Sequence, residues 1–148
     1  RIGYAGGPQK LIAAMKKVQS QSTSNPASIS QAAAEAALAG DQQCVKDMVK
    51  AFKERHDYVV DALNKLPGVT CAAGDGTFYA FPDFSGAIAA MDGVESCTDL
   101  AAKLLETAEV ALVPGSAFGA PGCLRLSFAT GMDTLKEAIR RIEQALNK

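Results

Sequence analysis

The stretch "DQQCVKDMVKAFKERHDYVVDALNKLPG", residues 41–68, holds one helical period along nearly its whole length. Val45, Met48, Val49, Phe52, His56, Val59, Val60, Leu63 and Leu66 recur at three- and four-residue spacing until Leu66-Pro67-Gly68 breaks the pattern. Counted over residues 41–65, such a helix is about 38 Å long at 1.5 Å per residue. That exceeds the width of a small domain, so the helix is expected to join two lobes, with the boundary near residues 45–55. Residues 1–45 then form the tail end of one domain, a strand plus two helices. Residues 46–148 form the connecting helix and a compact α+β domain, within an overall α/β class.

The segments before the helix fit that division. "IGYA", residues 2–5, has strand composition and is ended by Gly6 and Gly7. Pro8 suits the first turn of a helix over 8–19, whose apolar face is Leu11, Ile12, Met15 and Val18. "QSQSTSN" is a polar loop, and Asn25-Pro26 is a cap-plus-first-turn signal for an alanine-rich helix that Gly40 stops in the left-handed conformation. A smooth alanine-rich helix packs against something large, and little in this chain is large enough. Both helices are therefore expected to be covered by another copy, to be poorly ordered, or to expose a large apolar patch.

After the helix, "GDGTFYAFPD" gives a turn and a strand closed by Pro82, and "FSGAIAAMDGVE" is a loop with little signal. Ser96 and Asp99 make an S-x-x-D capping pattern before the helix "LAAKLLETA". "VALV", residues 110–113, is a short strand cut off by Pro114-Gly115. "CLRLSFA" alternates, with Leu124, Leu126 and Phe128 on one face and Cys123, Arg125 and Ser127 on the other. Leu135, Ala138, Ile139, Ile142 and Leu146 mark a last helix, opened by Asp133 or Thr130.

Composition excludes several function classes. Of 148 residues, 15 are basic and 16 acidic, for a net charge of -1, and no basic stripe stands out. Nucleic acid and anionic membranes are not the expected partners. No apolar run is long enough to span a bilayer. Cysteines at 44, 71, 97 and 123 form no CxxC pair and have no histidine beside them, so no metal site is expected; reduced cysteines in a cytoplasmic protein are. His56, the one histidine, is expected on a helix face without a catalytic role. The chain opens on Arg1 without a methionine, in what reads as the body of a strand, and is expected to be a piece of a longer protein.

One residue points to chemistry. Arg125 sits in an apolar strand pattern directly after a loop with glycines at 115, 119 and 122, where backbone can approach a ligand closely. An arginine on an exposed sheet face is the plain alternative, since arginines are mostly exposed. Its same-face neighbours Cys123 and Ser127 are small, however, and leave the guanidinium unshielded. A planar, always charged fork matches a carboxylate or phosphate at two points.

The segments "RIGYAGGP", "STSNP", "LNKLPGV", "GTFYAFPD" and "VPGSAFGAPGCLRLSFAT", in this order and spacing, resemble the C-terminal part of class I aminotransferases of the aspartate aminotransferase type. The resemblance implies a C-terminal fragment of the fold type I transferases that use pyridoxal 5'-phosphate: a large domain with a mostly parallel seven-stranded sheet, a small α+β domain, and a long inter-domain helix joining them. It implies a homodimer that moves an amino group between an aspartate-like amino acid and a 2-oxo acid. Arg125 matches the arginine that grips the substrate α-carboxylate, and Arg1 the arginine that binds the cofactor phosphate. Ser24 and Asn25 fall in the loop approaching the neighbouring subunit's cofactor phosphate, though a helix cap also explains Asn25. Phe118 falls near the substrate pocket, while an apolar turn residue filling the domain's own core explains it equally. The Schiff-base lysine lies upstream of Arg1 in the family, so the chain alone is expected to be inactive and to bind no cofactor. The inter-subunit loop arginine that holds a second carboxylate has no counterpart in "KVQSQSTSN", which leaves the second-carboxylate contact open. The alternative from another class is a stand-alone α+β module that holds an amino acid through Arg125 and does no chemistry.

Overall fold

The computed structural model describes residues 1–147, which form two compact units, Arg1–Cys44 and Val45 onward. In the first unit, α1 (Gln9–Ser22) and α2 (Ser28–Ala39) bury no residue. Leu11, Met15, Val18, Ile29 and Leu38 are all at least half exposed. The expected strand at 2–5 is irregular backbone. A strand is defined by its ladder, and no described residue pairs with this segment. Helix α1 runs three residues past its expected end, into the polar loop, and the hydroxyls of Ser20 and Ser22 donate back to the carbonyls of Lys17 and Val18.

Two capping expectations in this unit are corrected. The residue at the N-cap of α2 is Ala27, without a side-chain cap, so Asn25 stands two residues too early to serve. The Gln31 side-chain amide donates instead to the Pro26 carbonyl, 2.8 Å away. Gly40 ends α2 with extended rather than left-handed backbone, at φ −79° and ψ −178°. Glycine is needed there for space, because a Cβ would lie 2.8 Å from the Ala36 carbonyl oxygen.

The second unit holds every buried apolar residue among those described, from Val59 to Ala145. Helix α3 spans Gln43–Leu63, about 31 Å at 1.5 Å per residue. Its first half exposes Val45, Met48 and Val49; its second half buries Val59 and Leu63. The turn after α3 is closed by Asn64, whose side chain bonds both the N–H and the carbonyl of Cys71 at 2.9 and 2.8 Å.

Three short strands follow, β1 (Tyr79–Ala80), β2 (Val113–Pro114) and β3 (Leu124–Ser127), antiparallel in the order β1-β3-β2. Strand β2 begins three residues later than the apolar run suggested and includes Pro114, which an edge strand tolerates because one row of its N–H groups is unpaired anyway. Leu124, Leu126 and Phe128 are buried as the alternation requires. They share one core with Leu100 and Leu104 of α5 (Cys97–Ala108) and with Leu135, Ile139 and Ile142 of α6 (Met132–Leu146). Ser96 caps α5 as expected: its Oγ accepts the Asp99 N–H at 3.2 Å, and Asp99 Oδ2 accepts the Ser96 hydroxyl at 2.8 Å. Helix α6 starts after Gly131, with Asp133 in its first turn rather than at the cap.

The low-signal stretch contains α4 (Ser85–Ala90), six residues that composition alone does not announce. Tertiary contact makes it: Gly68, at φ +70°, and Gly86 touch backbone to backbone, and the Ala87 N–H donates to the Gly68 carbonyl at 3.0 Å.

Candidate functional site

The register of the sheet assembles the site. Tyr79 on β1 lies opposite Ser127, and Val113 on β2 lies opposite Arg125. Period-two alternation then puts Tyr79, Val113, Arg125 and Ser127 on one face, the one turned away from the core. Tyr79 and Arg125 are diagonal cross-strand neighbours, within reach of an aromatic and a long side chain. The Arg125 Cζ stands 4.4 Å from the centre of the Tyr79 ring.

Phe118 adds a second ring. After β2 the chain makes a single 3-10 turn, Gly115–Phe118, ended by Gly119 at φ +75°. That turn brings the Phe118 ring to 4.8 Å from Arg125 Cζ, with Phe81 edge-on to it at 6.0 Å. Phe118 is 51% exposed, so it does not fill the core; its ring meets the guanidinium and Phe81.

The glycine loop behaves differently from the expectation of a backbone bared to a ligand. The space a Gly115 side chain would take is filled by the carbonyls of Ala120 and Cys123, and that beside Gly122 by the Ser85 hydroxyl. The loop closes on itself: the Gly115 N–H donates to the Cys123 carbonyl at 2.8 Å, and the Phe84 N–H to the Gly122 carbonyl at 2.9 Å. These glycines hold the turn that carries Phe118; only Gly119 faces open space.

Half-buried over two rings, Arg125 has no carboxylate partner and no hydrogen bond among the described residues. The nearby carboxylate of Asp83 is committed elsewhere. It accepts the Ser85 N–H at 2.7 Å, and hydrogen bonds from Ser85 hold it below the usual carboxylate range. Arg140 and Arg141 show the contrast, since both pair with Glu137 and Arg141 also with Glu109. Arg125 is thus an unneutralised fork whose orientation the rings restrict, the arrangement suited to an incoming acid group.

The other expected site residues lie in the first unit. Arg1 lines a shallow hollow with Ile2, Ile29, Ser30, Ala33 and Ala34. Ser24 and Asn25 stand exposed in the link between α1 and α2, with no side-chain hydrogen bond among the described residues. Neither Ser24 nor Asn25 lines the hollow that holds Arg1. Sequence reasoning missed Tyr79; its aromatic signal was visible in "GTFYAFPD", but the register that places it beside Arg125 was not.

Comparison with known proteins agrees over nearly the whole chain. The family profile for aminotransferase class I and II matches residues 1–142. An aspartate/prephenate aminotransferase of Nitrosomonas europaea is 52% identical over 152 aligned positions, which cover 99% of this chain and 38% of the relative. An aspartate aminotransferase of Geobacillus stearothermophilus is 50% identical, covering 97% of this chain and 36% of its own length. Among solved structures, the aspartate aminotransferase of Rhizobium meliloti superimposes with a TM-score of 0.80 at 45% identity, over 96% of this chain and 36% of that one. The chain therefore spans little more than a third of the length of the relatives it matches. With its small sheet, flanking helices and long α3, it belongs to the class I and II aminotransferases.

Proposed function

We propose that this chain is the carboxylate-gripping part of a pyridoxal 5'-phosphate-dependent aminotransferase that takes an aspartate-like amino acid and a 2-oxo acid as substrates. The observation that carries the reading is Arg125: a half-buried guanidinium stacked on Tyr79 and Phe118 and left without an acid partner. In this role Arg125 binds the substrate α-carboxylate at two points and fixes the direction in which the Cα–H bond stands. Phe118 and Tyr79 restrict the guanidinium and shed water from its surroundings.

Arg1 would hold the cofactor phosphate, and Ser24 and Asn25 would approach the cofactor phosphate of the neighbouring subunit. A guanidinium, a hydroxyl and an amide are the donor types that suit phosphate oxygens, and none of the three is engaged by another side chain among the described residues. Asn25 caps no helix, so its amide is available. When bound, pyridoxal 5'-phosphate supplies the electron sink for chemistry at the substrate α-carbon. The proton-moving lysine belongs to the same proposal as a residue of the full-length protein, and the chain alone is then inactive. A homodimer in the cytoplasm completes it; the exposed apolar faces of α1 and α2 are surfaces that association would cover.

In the full-length protein, Arg125→Ala is expected to raise the KM for the amino acid tenfold or more, in line with losing a charge-assisted contact of about 1.5–3 kcal/mol. Arg125→Lys should recover only part of that, because lysine has no fork. An unchanged KM in Arg125→Ala sinks the assignment. Colourless full-length protein that binds free amino acids without turnover would point instead to the stand-alone binding module.

A further inference from the structure

A chain of contacts runs from α3 to Arg125 and begins at His56. The Nε2 atom of His56 accepts the N–H of Gly74 at 3.2 Å, eighteen residues away in sequence. A neutral imidazole has one donor and one acceptor, so a ring accepting at Nε2 carries its proton on Nδ1. There Asp57 Oδ1 lies 3.1 Å away to receive it. Asp57 is itself held by Lys53 Nζ, which donates to both carboxylate oxygens at 2.9 and 2.7 Å. The Phe128 ring stands edge-on to the imidazole at 5.9 Å and limits its tilt. Helix α3 thus offers the loop an acceptor with a set position and tautomer.

What the loop does next explains the anchor. Three residues after Gly74, Thr77 sits at φ +69°, a region that β-branched residues rarely occupy. Its Oγ1 accepts the Tyr79 N–H at 3.1 Å, which closes the bend. Phe78 then turns toward Phe52 on α3, ring centres 6.2 Å apart, while Tyr79 goes to the outer face and meets Arg125. A strained bend persists only where its surroundings fix it; on its N-terminal side the chain is held first at Cys71 by Asn64 and then, nearest the bend, at Gly74 by His56.

We propose that His56 is a positioning residue for substrate binding: by anchoring Gly74 it holds the Thr77 bend, and so sets Tyr79 as the platform on which the Arg125 guanidinium is oriented. The proposal rests on the reading of Arg125 as the α-carboxylate ligand.

The test uses the full-length protein with L-aspartate and with β-alanine, which lacks only the α-carboxylate. His56→Ala and Tyr79→Leu should each raise the KM for L-aspartate about two- to fivefold, the effect of a cation–π contact at a part-exposed site. In His56→Ala the kcat, and kcat/KM for β-alanine, should stay within about twofold. His56→Gln, whose amide oxygen reaches the Gly74 N–H in place of Nε2, should keep the KM for L-aspartate at the wild-type value. Hydrogen exchange at Gly74 should speed up at least tenfold in His56→Ala and not in His56→Gln. The proposal is overturned if His56→Ala frees the Gly74 amide yet leaves the L-aspartate KM unchanged. It is equally overturned if L-aspartate and β-alanine suffer alike, which would mark a purely structural role. Arg125→Ala separates the two levels: a raised KM there with an unmoved KM in His56→Ala removes the anchor alone, whereas an unmoved KM in Arg125→Ala removes both.

Discussion

Helices α1 and α6 carry similar apolar stripes and meet opposite fates. Leu11, Met15 and Val18 recur along α1 and remain 56%, 50% and 68% exposed, whereas Leu135, Ile139 and Ile142 on α6 are buried against α5 and the sheet. Periodicity specifies which face of a helix is to be covered and says nothing of what covers it. In the second unit the cover is within the chain. In the first unit by itself no described residue buries the stripe, which is left as surface.

Truncations on the two stripes should separate most. Ile142, fully buried on α6, is expected to cost about 2–5 kcal/mol when replaced by alanine, through lost burial and the cavity left behind. Leu11→Ala, in the same chain, should change stability by less than about 0.5 kcal/mol. Urea denaturation of both variants gives the numbers, and equal losses would break the contrast.

Capping offers a finer version of the same comparison. Ser96→Ala removes the hydroxyl that accepts the Asp99 N–H and should cost about 1 kcal/mol. Asn25→Ala removes a side chain that caps nothing, and its thermal midpoint should match the parent chain within error. A comparable loss at Asn25 would return it to the role its sequence context suggested.

The smallest effect concerns acid. Glu137 accepts from Arg140 at 2.7 and 2.6 Å and from Arg141 at 2.8 Å, and these bonds lower its carboxyl to about 2. A carboxyl depressed on folding stabilises the native state above its unfolded pKa, and that contribution fades as pH falls from about 4.5 toward about 2. Between pH 5 and pH 2 the midpoint of the parent chain should therefore fall slightly further than that of Glu137→Gln. The difference should shrink in 1 M salt, because these groups lie open to solvent. Helix α1, which has no acidic residue, offers no such pair. Identical pH profiles would show that the cluster contributes nothing measurable.

What could be read beforehand followed from local rules. The alternation of β3, the S-x-x-D cap of α5 and the continuous run of α3 depend on spacing alone; the first two stand as expected, and α3 is one helix, shorter by two residues at each end than the 41–65 expected. Arg125 was legible because a charge in an apolar alternation is conspicuous within a few residues. The partners that give it orientation were not: Tyr79 reaches it through strand register, and Phe118 through a turn whose glycines turned out to serve the loop's own backbone. His56 looked inert because its partner is eighteen residues away and is a backbone N–H, which leaves no mark in the sequence. The strand expected at residues 2–5 failed for the opposite reason, since extended composition does not make a ladder without a neighbour to bond.

The Gly68–Gly86 crossing reaches further than local geometry. Six residues are too few for a helix to persist in water by itself, so α4 exists only while its first turn lies against the bend that follows α3. Its coil-to-helix transition and its docking are one event. Because a methyl group at either glycine would meet backbone rather than a yielding side chain, the two positions constrain each other: enlarging one side chain can be accommodated only if the whole hairpin of chain around it shifts.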